Sequence, residues 1–212
     1  MSHPAAFDQA FEACPLIAIL RGLKPDEAIS IGEALVDAGI TILEVPLNSP
    51  DPFESIARLA KALQGRAIVG AGTVYRRTEV DRIVEAGGTL IVSPNTNVEV
   101  IAHAASLGLV SAPGMFTPSE AIAALDAGAH VLKIFPGELM SPQGVKAMSA
   151  ILPRGSRMVL VGGVNEQTFA QYKTTPLAGY GIGSSLYASG VTAKEISERA
   201  KRFISAYRES RS

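Results

Sequence analysis

The chain has one cysteine, Cys14, so no internal disulfide can form, which fits a reducing cytoplasm. No uninterrupted apolar run approaches the ~20 residues that a membrane-spanning helix needs, although 47% of the 212 residues are hydrophobic and only 18% charged. Residues Met1 to Glu12 carry no cationic segment followed by an apolar core, so no secretory signal is expected. A formal charge of −1 with no basic block argues against a nucleic acid or an acidic membrane as partner. His3, His103 and His130 are scattered, His103 reads as an exposed helix residue, and no paired Cys/His spacing exists. No metal site is therefore expected. The apolar surplus points instead to a covered subunit interface.

What the chain has in abundance is one recurring phrase: a helix-like segment closing on Ala-Gly or Leu-Gly, then at once a short apolar run. Asp37-Ala38-Gly39 precedes Ile40 to Val45, and Glu85-Ala86-Gly87-Gly88 precedes Thr89 to Ser93. Ser106-Leu107-Gly108 precedes Leu109 to Ala112, and Asp126-Ala127-Gly128 precedes Ala129 to Phe135. Glycine just past a helix end supplies the left-handed C-cap conformation, so each pair marks a helix-to-strand joint. Runs near Leu16, Ile40, Ala67, Thr89, Leu109, His130, Met158 and Gly179 give eight candidate strands. Between them lie stretches of helical period, the last from about Val191 to Tyr207. Lys24-Pro25, Ser49-Pro50, Thr117-Pro118 and Ser141-Pro142 read as polar caps before a proline at the first helical position. Eight alternations without a linker predict a (β/α)8 TIM barrel, one domain over residues 1–212 with 1–14 as a lead-in. A doubly wound open sheet is the alternative, because alternation alone does not prove closure.

Three charges sit in or at the end of these apolar runs: Arg21 after Leu16 to Leu20, Glu44 within Ile40 to Pro46, and Lys133 within Val131 to Pro136. A strand apolar on both faces is buried in a parallel sheet, and in a barrel the chemistry lies at the C-terminal strand ends. Alternation puts Ile17, Ile19 and Arg21 on one face, Ile42 and Glu44 on another, and Val131, Lys133 and Phe135 on a third. Desolvation lowers a lysine's pKa, and the neutral amine attacks carbonyls to form a Schiff base. Lys133 thus reads as an imine-forming nucleophile, Glu44 as general acid/base and Arg21 as a clamp for a substrate carboxylate. A structural salt-bridge triad at the barrel mouth is the competing reading.

Two glycine-rich loops follow the last strands: Gly162-Gly163 after Val161, and Gly181-Ile182-Gly183-Ser184-Ser185. Barrels bind phosphate there through backbone N–H groups, with Ser184 offering a hydroxyl, although tight turns use glycine too. Thr73 ends the third strand, as a substrate ligand or as a helix cap. Pro94 and Asn95, and Pro113-Gly114, end the fourth and fifth and line the same mouth.

The strings Ile19-Leu20-Arg21-Gly22, Leu43-Glu44-Val45-Pro46-Leu47-Asn48-Ser49-Pro50, Val69-Gly70-Ala71-Gly72-Thr73-Val74, Leu132-Lys133-Ile134-Phe135-Pro136 and Val161-Gly162-Gly163-Val164 occur in order. Together they resemble the class I 2-keto-3-deoxy-6-phosphogluconate/galactonate aldolases, over about Pro15 to Arg208. The resemblance implies a barrel that is usually a homotrimer and needs no metal or cofactor. It implies reversible cleavage of a phosphorylated 2-keto-3-deoxy sugar acid to pyruvate and glyceraldehyde 3-phosphate. It also implies Lys133 as the Schiff-base lysine and Glu44 as the proton shuttle. Arg21 and Thr73 would hold the pyruvyl end, Pro94, Phe135 and Val161 would line the site, and Gly162, Gly163, Gly183 and Ser184 would receive the phosphate. The gluconate branch typically has an arginine where this chain has Asn48 and a threonine where it has Val161. The Ile-Leu-Arg-Gly and Pro-Leu-Asn-Ser-Pro strings look more like the galactonate branch, and an apolar Val161 near C4 biases recognition there, so the galacto-configured substrate is expected ahead of its C4 epimer. A phosphosugar isomerase or epimerase using Glu44 without a covalent adduct, and a phospholigand sensor without turnover, are the rivals.

Overall fold

The computed structural model describes residues 2–211; Met1 and Ser212, the two ends of the expected domain, lie outside them. The strands are β1 (Leu16–Ile19), β2 (Ile42–Pro46), β3 (Ile68–Gly72), β4 (Leu90–Val92), β5 (Val110–Ala112), β6 (Gly114–Met115), β7 (Leu132–Ile134), β8 (Met158–Val161) and β9 (Gly179–Ile182). They pair in the order β5-β4-β3-β2-β1-β9-β8-β7-β6, and every pairing is parallel.

The ends of that order meet, because β5 and β6 are two pieces of one strand interrupted at Pro113. Proline has no N–H to give the ladder, yet its carbonyl still accepts from Lys133 N at 2.9 Å, while Gly114 N donates to Ser93 O at 3.0 Å. The eight expected strands are therefore all present, and the sheet closes into a (β/α)8 barrel rather than an open doubly wound sheet.

The helices are α1 (His3–Ala13), α2 (Ala28–Ala38), α3 (Pro52–Ala62), α4 (Arg77–Glu85), α5 (Val98–Ser106), α6 (Pro118–Asp126), α7 (Pro142–Ile151), α8 (Glu166–Tyr172) and α9 (Ala193–Arg211). The glycine joints are as the sequence predicts: Gly39, Gly87, Gly108 and Gly128 all have positive φ. Thr117 and Glu120 cap α6 reciprocally, Thr117 Oγ1 accepting from Glu120 N at 3.3 Å and Glu120 Oε2 from Thr117 N at 2.8 Å. Ser141 likewise accepts from Gly144 N at 3.1 Å to open α7. Two starts move inward: Pro25 lies in a turn before α2, and Pro50 precedes α3, whose first residue is Pro52.

Alternation sorts the strand side chains into two cores. Ile17, Ile42, Ile68, Leu90, Val110, Val131 and Val159 fill the barrel, while Leu16, Leu43, Val69, Ile91, Leu132, Met158 and Tyr180 face the helices. The expected lead-in is helix α1, which plugs the N-terminal end of the barrel with Phe7 and Phe11, buried and stacked 5.4 Å apart. Asp8 on the same helix accepts from Arg157 at 2.7 Å and sits 2.8 Å from His130 Nε2. The barrel is thus stoppered at one end and open at the other. No described helix is long and apolar enough to cross a membrane.

Candidate active site

At the open end, β7 carries Lys133 inward between the outward Leu132 and Ile134, leaving it 6% exposed. On β2, Glu44 is 2% exposed and in register with Ile19 of β1 and Gly70 of β3. Its carboxylate occupies space that a side chain on β3 would need: a β-carbon at Gly72 would collide with both Glu44 oxygens. Gly72 is therefore what lets a carboxylate stand at this depth.

Lys133 and Glu44 border one cavity of about 290 Å³. Arg21, Thr73, Pro94, Phe135 and Val161 also line it, as do Gly162, Gly163, Gly183 and Ser184. The proposed nucleophile, the acid/base and the expected substrate-binding residues thus border a single space. Asn95, Pro113 and Gly114, expected at the mouth, are not among its walls, whereas Ile19, Val164, Asn165 and Ser185 are.

Burial dominates the electrostatics. Desolvation raises the Glu44 carboxyl to about 7, against the opposing pull of Lys133 and then Arg21. Desolvation likewise pushes the Lys133 ammonium below its ordinary range, with Glu44 opposing and Arg21 adding to the shift. Among the described residues no ion pair within 4 Å joins the three, and Glu44 Oε2 has no hydrogen-bond partner. A structural triad would have closed those contacts; here the amine and the carboxylate border the cavity without an ion pair between them. Lys133 Nζ instead lies 4.6 Å from the centre of the Phe135 ring.

Arg21 lies two residues past the end of β1 and is exposed at the cavity rim. Its Nη1 donates to Asn48 Oδ1 at 2.5 Å, while Gly22 N donates to Ser49 Oγ at 3.0 Å, so the loops after β1 and β2 are tied together. Thr73 has φ 61°, a left-handed conformation that costs a β-branched residue of order 1–3 kcal/mol. It does not cap α4, which begins at Arg77 with Arg76 at the cap position, and its hydroxyl makes no hydrogen bond among the described residues. Thr73 is thus a strained residue in the cavity wall.

The two glycine loops border the other side. A β-carbon at Gly183 would meet nothing within 4 Å, and its φ is not left-handed. Neither packing nor backbone conformation demands glycine there, so its bareness keeps space open beside the backbone. The Ser184 hydroxyl next to it borders the cavity and makes no hydrogen bond among the described residues. No group of three or more His, Cys, Asp and Glu able to hold a metal occurs among the described residues. His103, expected as an exposed helix residue, is half-buried and paired with Asp81 at 2.6 Å.

The KDPG and KHG aldolase family model matches residues 7–202. A probable 2-dehydro-3-deoxy-6-phosphogalactonate aldolase of Rhizobium meliloti (strain 1021) is 47% identical over 193 residues, 91% of each chain. A solved structure described as native KDPGal superposes with TM-score 0.90 at 44% identity, covering 92% of this chain and 95% of that one. A chain from a designed cage made by fusing symmetric oligomeric domains gives TM-score 0.90 at 44% identity, over 93% of this chain and 73% of that one. KDPG aldolase from Legionella pneumophila, with pyruvate captured as a covalent carbinolamine, gives TM-score 0.79 at 25% identity, over 96% and 97%.

Proposed function

The chain belongs to the KDPG and KHG aldolase family, and from that membership we propose that it is a Schiff-base lyase reversibly cleaving 2-dehydro-3-deoxy-6-phosphogalactonate to pyruvate and D-glyceraldehyde 3-phosphate. The observation that carries the reading is the buried Lys133 and Glu44, with Glu44 Oε2 unpartnered, sharing one cavity at the strand ends. The neutral Lys133 amine adds to the C2 carbonyl; loss of water from the carbinolamine leaves an imine. Glu44, poised near neutrality, gives and takes the protons of that exchange. It then accepts the C4 hydroxyl proton as the C3–C4 bond breaks and its electron pair flows into the imine, releasing the phosphorylated aldehyde. Protonation of the resulting enamine at C3 and hydrolysis of the imine return pyruvate and the amine.

Arg21 and the strained Thr73 hold the pyruvyl carboxylate, with Pro94 and Phe135 walling that end. Gly162, Gly163, Gly183 and Ser184 receive the phosphate through backbone N–H groups and a hydroxyl. Val161, apolar and 6% exposed in the cavity wall, offers no hydrogen bond to a C4 hydroxyl in the orientation that a threonine would serve, and this supports the galacto epimer. The protein works as a cytoplasmic homotrimer; the symmetric oligomeric cage relative and the exposed apolar side chains Phe116 and Leu139 support assembly.

Borohydride trapping with pyruvate, read by intact mass and peptide mapping, tests the mechanism. A reduced pyruvyl adduct on Lys133 is the expected result. An intact, folded protein that gives no adduct would leave Glu44-based isomerisation in its place. The kcat/KM ratio for the two C4 epimers tests the preference, and comparable values would remove it while leaving the lyase standing.

A further inference from the structure

Two loops form the phosphate side of the cavity, and they are held very differently. Residues 183–187 fold into a helical turn, Leu186 N and Tyr187 N both donating to Gly183 O at 2.9 and 3.0 Å. Tyr187 roots that turn in the molecule: its ring is buried and its hydroxyl donates to Glu27 Oε1 at 2.9 Å. The other loop, after β8, has two consecutive left-handed glycines, Gly162 at φ 109° and Gly163 at φ 66°. Beyond it the chain is fixed again at Asn165, whose side chain accepts from Gln167 N at 3.0 Å to cap α8.

Across the gap runs one side-chain hydrogen bond among the described residues. Ser185 Oγ donates to the Val164 carbonyl at 2.6 Å, joining positions 21 apart in sequence. Both residues line the cavity. Resting on the phosphate reading above, we infer that Ser185 is a positioning residue: it sets the spacing between the Gly162-Gly163 backbone and the Gly183-Ser184 turn, and so tunes the site for a phosphate ester. It touches no reacting atom. Without the tie, the glycine pair samples geometries in which its N–H groups no longer converge with those of the anchored turn. Each phosphate bound then has to order the loop first.

The wild type, Ser185→Ala and Ser185→Thr are compared in aldol condensation of pyruvate with glyceraldehyde 3-phosphate and with unphosphorylated glyceraldehyde, alongside borohydride trapping of pyruvate. S185A is expected to raise KM for the phosphorylated aldehyde about tenfold, with kcat changed less than about threefold. Its kcat/KM for glyceraldehyde and its pyruvate trapping should stay with the wild type, and S185T, which keeps the hydroxyl, should recover most of the loss. Should S185A not fold, Ser185→Cys, similar in size but a weak donor, carries the same expectation. Equal loss on both aldehydes, or no loss on the phosphorylated one, overturns the assignment, because a merely structural bond would not distinguish them. Wild-type protein that fails to trap pyruvate would overturn the lyase reading and this proposal with it.

Discussion

A carboxyl group held as deeply as Glu44, with one oxygen unpartnered, opposes folding once it ionises. Burial raises its folded-state pKa to about 7, above the ordinary 4.5 of a glutamate carboxyl. Its contribution to stability is therefore fully present below the unfolded value and is lost as pH rises through about 7. Glu44→Gln keeps the shape and removes that loss. Between pH 5 and pH 8 the urea-derived stability difference should move in favour of the variant by up to ~3 kcal/mol, while turnover falls by roughly 10²- to 10⁴-fold. The depressed Lys133 amine reinforces the trend, because losing its carboxylate neighbour lowers it further. A difference flat in pH would mean that Glu44 is charged in the folded protein throughout this range, as it is in the unfolded chain. Lys133 and Glu44 were legible in the sequence because a charge inside an apolar strand run has few structural explanations. The contacts of Gly72, Asn48 and Ser185 were not, since each residue acts by meeting another that is close only after folding: Glu44, Arg21 and Val164.

Among the elements, α1 carries a consequence for stability that is separable from chemistry. Its first ring, Phe7, is fully buried against Phe11 and stands edge-on to His130, 5.5 Å between centroids, at the barrel end opposite the cavity. Phe7→Ala should cost about 3–5 kcal/mol in urea unfolding, as large-to-small changes in a packed core do. Turnover per folded molecule should hold, and a loss of kcat matching the loss of stability would show that the plug also shapes the far end. The strands and the glycine joints were readable because C-capping glycine and apolar period are local signals. The helix starts near Pro25 and Pro50 were displaced because a proline that fits the first helical turn fits the turn before it equally well. The break at Pro113 is likewise tertiary: the proline is tolerated because Ser93 and Lys133 bridge around it.

At the scale of the whole molecule, eight alternations left closure open, and closure follows only from β4 and β7 flanking the two halves of the broken strand. The assembled barrel leaves Phe116 and Ile122 each 37% exposed and Leu139 71% exposed. All three fall within one β6–α6–β7 unit and the 3₁₀ turn Gly137–Leu139 that follows the lysine-bearing strand. If the homotrimer proposed above forms through this unit, the partner covering these side chains is another copy of the same chain. Phe116→Asp with Leu139→Asp puts two carboxylates on this surface and should convert trimers to monomers in sedimentation or light scattering. Because the turn bearing Leu139 continues directly from the Lys133 strand, the monomer should also turn over more slowly, with pyruvate trapping on Lys133 retained. Trimers that persist unchanged in the double variant would move the interface to other exposed apolar positions, such as Ile29 or Ile151.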